Sequence, residues 1–424
     1  MDSEDRMDFS ERRKYLRIMR KRYKEASRRE RSNLLDEMEA VTGLHRKSLI
    51  RLLGSPIQVK RKARRRERGP VYGPEVREAI GLIARALDYP AAERLQPRLV
   101  FLANHLARHG EMEVSDALLE KLEGISVSTV RRILSTLSRD KPRPPVRNRG
   151  RKRALLQTIP IDRIPWNVQE PGHLEVDLVH HCGPTASGEY VCTVQMVDVA
   201  TGWVEQWAVL GRSYRVMEDA FSHILARIPF PIQELHSDNG SELLNWHLIR
   251  FLRRNLPGVR LSRSRPYHKN DNRFVEQRNA SLVRAYIGYD RLDTVEQTNL
   301  LNLIYEKLWV YHNLFQPVRR TREKILLPSD GQTPRVKRVY DQARTPLERL
   351  ETSGVVEPQR LEALRRLRDE TNPLHLREEI YDLIDQLFSL PGATPGVTED
   401  VHKTLNLPFH LPEEVISPVT LSFD

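Results

Sequence analysis

Three acidic residues stand where an acid is an awkward neighbour. Asp177 interrupts the apolar run "HLEVDLVHHC", with Leu174, Val176, Leu178 and Val179 around it. Asp238 ends "PIQELHSD" and is followed by Asn239 and Gly240. Glu276 lies in the first turns of the helical pattern "KNDNRFVEQRNASLVRAYIGY". An ionised carboxylate in a buried strand is costly unless it is paired or binds a cation. Three carboxylates converging from two strands and a helix would form an oxygen-ligand set for hard divalent ions. Two such ions, about 3.5–4 Å apart, suit phosphoryl transfer, one activating the attacking oxygen and the other stabilising the leaving oxygen. Taken singly, each acid also has an ordinary structural reading, and periodicity does not bring the three together.

The surrounding sequence describes the elements that must position them. "HLEVDLVHHC", "EYVCTVQMVDVAT" and "GWVEQWAVL" read as three consecutive antiparallel strands. A helix over 214–227, a strand in "PIQELHSD", a helix in "SELLNWHLIRFLRRN", a short strand in "GVRLSRSRP", a long helix over 271–288 and a helical region over 291–316 follow. This order describes an α/β domain with a mixed sheet. On the long helix Val275, Leu282 and Tyr286 form an apolar stripe. Ala280, Val283 and Ile287 continue it through Glu276, which places Glu276 at the edge of the buried face. Asp271 reads as the helix cap. Asp198 reads as a structural acid at a strand turn. Gly240 permits the turn after Asp238, and Asn239 is placed to orient that acid or to contact DNA. Asn272 and Asn279 share the helix face of Glu276, where they would bond DNA or fix the carboxylate. His180, His181 and His236 flank the acids, although oxygen ligands suit magnesium better.

The 424-residue chain is long enough for several domains. It carries 69 Lys and Arg against 57 Asp and Glu, a net charge of +12, which favours a polyanion partner. Two basic, extended stretches divide it: "KRKARRRERGP" (60–70) and "KPRPPVRNRGRKR" (141–153), each with seven basic residues. They read as arms along phosphates, with Arg64, Arg65, Arg66, Arg149, Arg151, Lys152 and Arg153 as contacts, or as plain solvated tethers. Ahead of the first, Leu34, Leu35, Met38 and Val41 precede a break at Thr42-Gly43. A second helix follows with Leu44, Leu49, Ile50 and Leu53 apolar. This is helix-turn-helix anatomy, exposing His45, Arg46, Lys47, Ser48 and Arg51 toward bases and phosphates. Between the stretches the pattern recurs. Leu118, Leu119 and Leu122 precede Gly124, then Val130, Ile133 and Leu134 face inward and Ser128, Thr129, Arg131 and Arg132 outward. An ordinary pair of packed helices remains open for both. The expected organisation is 1–59 and 73–140 as DNA-binding helical domains, 60–72 and 141–171 as linkers, 172–316 as the core, and 317–424 as a mostly helical region with a Pro-rich tail. Cys182 and Cys192, on adjacent strands, read as reduced small hydrophobes rather than a zinc knuckle. With no apolar run long enough for a membrane span, a cytoplasmic, nucleoid-associated protein is expected.

The segments "HLEVDLVHH", "VDVATGW", "LHSDNGSE" and "RPYHKNDNRFVEQRN" resemble the integrase core of the DDE transposase and retroviral integrase superfamily over about 172–316, with 37 residues between Asp238 and Glu276. Nearly end to end, the chain is similar to bacterial insertion-sequence transposases, which carry segments like "TGLHRKSLIRLL" before the core and "YHNLFQP" (311–317) after it. The resemblance implies a ribonuclease H-like fold. It implies Asp177, Asp238 and Glu276 as catalytic metal ligands, and two Mg²⁺ or Mn²⁺ ions per site. It also implies cleavage and joining of double-stranded DNA at mobile-element terminal repeats and target, by a homo-oligomer, without membrane or nucleotide cofactor. Two features depart from relatives. The two-His, two-Cys zinc module of retroviral integrases is missing. Where some relatives place lysines after the catalytic Glu, this chain has Ala280 and Val283. DNA contact near the site then falls to Arg278, Arg284, Arg263, Arg265, His268 and Lys269. A DNA-binding regulator with an inactive, repurposed core and a metal-dependent nuclease of the same fold are the alternatives.

Overall fold

The computed structural model describes residues 7, 9–54, 71–144, 168–237, 246–263, 273–327 and 335–416. The chain divides into two compact units, Met1–Val71 and Tyr72–Asp424.

In the first unit, α1 (Phe9–Glu25), α2 (Arg28–Thr42) and α3 (Arg46–Gly54) pack around Leu16, Met19, Leu35, Met38, Leu49 and Leu53. Ser27 and Glu30 form a capping box at the start of α2, and Gly43 ends it in the left-handed conformation (φ 67°). The expected helix, Gly turn and helix are therefore present. Val41 and Ile50 were expected inside but are exposed, because α1 covers the other side of α2 and α3.

The second unit begins with α4 (Pro74–Ala86), α5 (Ala92–Leu95), α6 (Leu99–Arg108), α7 (Asp116–Gly124) and α8 (Val127–Leu134). Ser115 and Ser126 cap α7 and α8. These helices share one continuous apolar core with everything that follows. Tyr311 Oη donates to the Ala86 carbonyl and Gln316 Nε2 to that of Leu87, each at 2.8 Å. The start of the second basic stretch is packed rather than a free tether: Arg143 pairs with Asp88, which also receives Arg377 Nη2 and the hydroxyl of Tyr381. Asp88 is buried.

The sheet has five strands: β1 (His173–His180), β2 (Val191–Asp198), β3 (Val204–Leu210), β4 (Glu234–Ser237) and β5 (Arg260–Arg263), in the order β3-β2-β1-β4-β5. The first three pair antiparallel, whereas β4 joins β1 and β5 joins β4 in parallel, giving the mixed sheet expected. β2 and β3 are buried throughout. Helices α9 (Tyr214–Arg227) and α13 (Val295–Val310) pack on β3, and α10 (Trp246–Asn255) on α9. Within this layer Glu205 is buried and receives Arg227 Nε at 3.0 Å and the indole N–H groups of Trp203 and Trp309 at 2.9 and 2.6 Å. Three donors offset the cost of burying its charge.

On its outer side β3 meets side chains instead of another strand. Asn302 exchanges two hydrogen bonds with the backbone of Ala208, Asn313 does the same with Val204, and Arg227 donates to the Gln206 carbonyl.

Two expectations are corrected. The long helix over 271–288 is broken into α11 (Arg273–Arg278), a π-helical turn (Asn279–Val283) and α12 (Arg284–Ile287). The C-terminal region also opens with an antiparallel hairpin, β6 (Thr321–Leu327) and β7 (Arg335–Tyr340), before α14 (Pro346–Ser353), α15 (Pro358–Glu370) and α16 (Pro373–Ser389). Charged residues cluster in "TREKILL" and "RVKRVY", so the hairpin lacks the apolar alternation that marks a buried strand.

Candidate functional site

Asp177 sits in β1 opposite Gln195 of β2, and its side chain is only half-buried. Its Oδ1 accepts the Leu178 backbone N–H at 2.9 Å, and its Oδ2 accepts Asn279 Nδ2 at 2.5 Å. Two residues earlier on the same strand face, Glu175 is buried. Its Oε2 accepts the backbone N–H of Phe274 at 2.7 Å and of Val275 at 3.0 Å. The first turn of α11 leaves these donors without intrahelical partners. Glu175 and Asp177 thus fasten successive turns of the Glu276 helix to β1. Burial pushes the Glu175 carboxyl up to about 7, only partly offset by the Val275 and Phe274 bonds and by Arg273 and Arg320.

Glu276 itself is exposed, further out than the edge position expected. Val275, Leu282, Tyr286, Val283 and Ile287 are buried as anticipated, but Ala280 is exposed. The π-helical turn begins at Asn279 and resets the register there. Asn279 bonds the Asp177 carboxylate, an acid other than the Glu276 carboxylate it was expected to fix, while its own Oδ1 is buried without a hydrogen-bond partner.

The third acid, Asp238, lies outside the described residues, as do Asn239, Gly240, His268, Lys269, Asp271, Asn272, Arg265, Arg64, Arg65, Arg66, Arg149, Arg151, Lys152 and Arg153. Ser237, the residue before Asp238 in the chain, is paired with Val176, the residue before Asp177, through the parallel β1–β4 register. Among the described residues no group of three metal-ligating side chains occurs. The described donors nonetheless fit a hard cation: a half-buried carboxylate, an exposed carboxylate on the adjoining helix, and an unbonded amide oxygen.

The neighbouring residues have structural duties. Asp198 is buried and accepts from Gly172 N–H, Thr201 N–H and Thr201 Oγ1, as its structural reading expected. His181 is buried against Thr193 Oγ1, and burial, with Arg284 and His180, lowers it to about 3. A neutral ring follows. His236 Nδ1 meets Ser262 Oγ at 2.8 Å, and His180 lies against Tyr190 and Cys192. Cys182 and Cys192 are both thiols, outside any disulfide. Arg284 is spent on the carbonyls of His180 and Gly288, which corrects its reading as a DNA contact. In the helical regions His45, Lys47, Arg51, Ser128, Arg131 and Arg132 are exposed, with Ser48 and Thr129 partly so. Arg46 pairs with Asp36 and donates to Ser32 Oγ, while Arg131 pairs with Glu93.

Sequence reasoning passed over Glu175, although an acid two residues before Asp177 necessarily shares its strand face. It also passed over Arg94, Arg319 and Arg320. With Arg278 they line a cavity behind α11, and three distant segments supply them.

The integrase core domain family model matches residues 167–269. An uncharacterized protein of Sinorhizobium fredii, y4rM, is 36% identical over 324 residues, covering 75% of this chain and 90% of that protein. The BIV integrase catalytic core aligns with 43% of this chain and 95% of its own, at 19% identity and a TM-score of 0.27. A simian T-cell lymphotropic virus intasome in complex with the PP2A regulatory subunit B56 gamma aligns with 43% of this chain and 58% of that chain, at 18% identity and a TM-score of 0.25. Scores this low add nothing to the assignment. The sequence match and the Sinorhizobium relative decide it: the chain belongs to the same family as y4rM and carries an integrase core domain over residues 167–269.

Proposed function

We propose that the protein is a DDE transposase of insertion-sequence type. In this reading it binds the ends of a mobile element, cleaves a phosphodiester to free a 3′-hydroxyl and joins that hydroxyl to target DNA. The observation that carries the reading is the double fastening of the Glu276 helix to β1, by Glu175 at Phe274 and Val275 and by Asp177 at Asn279. The fastening supports the reading because a ligand set needs its geometry held before the substrate arrives.

Asp177, Asp238 and Glu276 would hold two Mg²⁺ or Mn²⁺ ions. When bound, these would supply Lewis-acid activation of the attacking oxygen and charge stabilisation at the leaving oxygen. The chain's own contribution is positional. Asn279 keeps Oδ2 of Asp177 turned toward the helix, and Glu175 fixes the depth of the first turn of α11 against the sheet. Water is the attacking group in the first step and the freed 3′-hydroxyl in the second, with no covalent protein intermediate. The helical pairs α2–α3 and α7–α8 are assigned to end binding through His45, Arg46, Lys47, Ser48 and Arg51, and through Ser128, Thr129, Arg131 and Arg132. The basic stretches supply phosphate contacts, and the working form is a multimer on paired ends.

A strand-transfer assay with labelled element ends and Mg²⁺ tests this. Joined products that vanish in Asp238→Asn support it. Cleavage without joining would make the protein a nuclease, and site-specific binding with neither would make it a regulator.

A further inference from the structure

Behind α11, on the side away from Glu276, lies a cavity of about 770 Å³. Residues 273, 274, 277, 278 and 281 line one wall, following one face of the helix. The other walls come from Arg94 of α5, the segment 318–321 and the β7 residues Arg338 and Tyr340. Six arginines and no acid line it. Among the described residues, none of Arg94, Arg278, Arg319, Arg320 and Arg338 forms an ion pair with a carboxylate. The nearby acids are engaged elsewhere. Glu93 is held by Arg131, Asp341 by Arg349, Asp198 by the Gly172–Thr201 turn and Glu175 by α11. Arg278 is surrounded by like charge, with Arg320 and Arg94 as its nearest ionic neighbours. Such a cluster is costly to close unless an anion enters. Two aromatic faces order the guanidinium groups. Arg320 lies 4.8 Å from the Phe274 ring centroid and Arg319 lies 4.6 Å from that of Tyr340. Planar, stacked guanidinium groups suit a phosphate.

We propose that this cavity is a phosphodiester-binding site that seats the backbone of duplex DNA against the back of the Glu276 helix, with Arg319 and Arg338 at its exposed rim and Arg278 and Arg320 deeper. The assignment rests on the DNA-acting reading above. It favours DNA over a small anion because three chain segments and the exposed hairpin form an open rim. A second basic cleft, lined by Arg322, Arg344 and Arg349, shares Arg320 and Thr321 with the first, so the positive surface continues past it.

The test uses the full chain without divalent metal and a fluorescein-labelled duplex, read by anisotropy across a salt series. Arg319→Gln with Arg338→Gln, both exposed and tolerant of change, should weaken binding about tenfold and lower the slope of log affinity against log salt by about 1 to 2. Arg366→Gln, exposed on α15, should change neither. In parallel, inorganic sulfate should raise the melting temperature of the wild type more than chloride at matched ionic strength, and Arg278→Gln should abolish the difference. If sulfate stabilises through Arg278 but the rim variant binds DNA like wild type, the cavity takes a small anion only and the proposal is overturned. Unchanged affinity and slope with no sulfate effect overturn it as well. A wild type that binds no duplex overturns this proposal and the transposase reading together. Failure of strand transfer with the expected binding losses overturns only the latter.

Discussion

The carboxylate of Glu175 holds the backbone N–H of Val275 at 3.0 Å, so the strand that carries Asp177 also grips the first turn of the helix that carries Glu276. Both N–H bonds fall on Oε2, which leaves Oε1 to carry a proton. Because burial raises this carboxyl from an ordinary 4.5 to about 7, the folded protein holds the proton over a range where the unfolded chain has lost it. The stabilisation is complete below about 4.5 and is lost as pH rises through 7, amounting to about 3 kcal/mol. Glu175→Gln removes the titration. The stability of wild type relative to this variant should fall by that amount between pH 4.5 and 8 in urea titrations. A difference that stays flat across the range would sink the assignment.

Asp177→Asn should abolish cleavage and joining while leaving duplex affinity nearly unchanged, because the substitution keeps the shape of the side chain. Asn279→Ala should be milder. It deletes the amide that bonds Asp177 but leaves all three carboxylates, so the rate should fall about 10- to 100-fold and half-saturating Mg²⁺ should rise. Metal titrations of single-turnover rate distinguish the two. An Asn279→Ala enzyme with wild-type metal dependence would mean that the amide does not position Asp177.

Arg46 and Lys47 open α3 and offer a contrast in binding. Arg46 is tied to Asp36, but Arg46 is one-third exposed and Asp36 largely so, and a solvent-accessible pair of this kind is worth at most about 1 kcal/mol. Its guanidinium therefore remains available to DNA. Arg46→Ala and Lys47→Ala should each weaken binding and lower the salt slope by about 1, with rates at saturating DNA preserved. Loss of catalysis at saturation would contradict a pure binding role.

Asp88 joins the α4–α5 turn to Arg143, Arg377 and Tyr381 and adopts φ 54°. Asn tolerates that backbone region, so Asp88→Asn isolates the charge. Removing the carboxylate that Arg143 pairs with, and leaving the buried Arg377 with Asp140 alone, should cost about 1–3 kcal/mol, lowering the denaturation midpoint and raising protease sensitivity between residues 134 and 144. No change in either would show that the Asp88 charge does not hold this segment.

The three antiparallel strands of the core were legible because each carries a β-branched or aromatic run, and the helices α2, α7, α9 and α13 were legible from apolar spacing. What the sequence hid are features set by tertiary contact. The π-helical turn at Asn279 leaves no mark in apolar periodicity. Val41 and Ile50 carry core residue types yet face outward, because α1 took the other side. The hairpin strands cluster their charges and lack a period-two apolar pattern. In the site, Asp177 announced itself by interrupting an apolar strand. Glu175 did so equally, but its partners are backbone N–H groups a hundred residues away, which no side-chain pattern encodes. The cluster of Arg94, Arg278 and Arg320 was invisible for a similar reason: each looks like an ordinary solvated arginine until the chain closes around it.

The outer margin of β3 has a further consequence. A bare strand at the side of a sheet invites pairing with another polypeptide. Here the amides of Asn302 and Asn313 and the guanidinium of Arg227 occupy the hydrogen-bonding groups that a visiting strand would need. The sheet is thereby closed along β3 to growth by strand addition, and each buried amide in this layer doubles as a guard against aggregation.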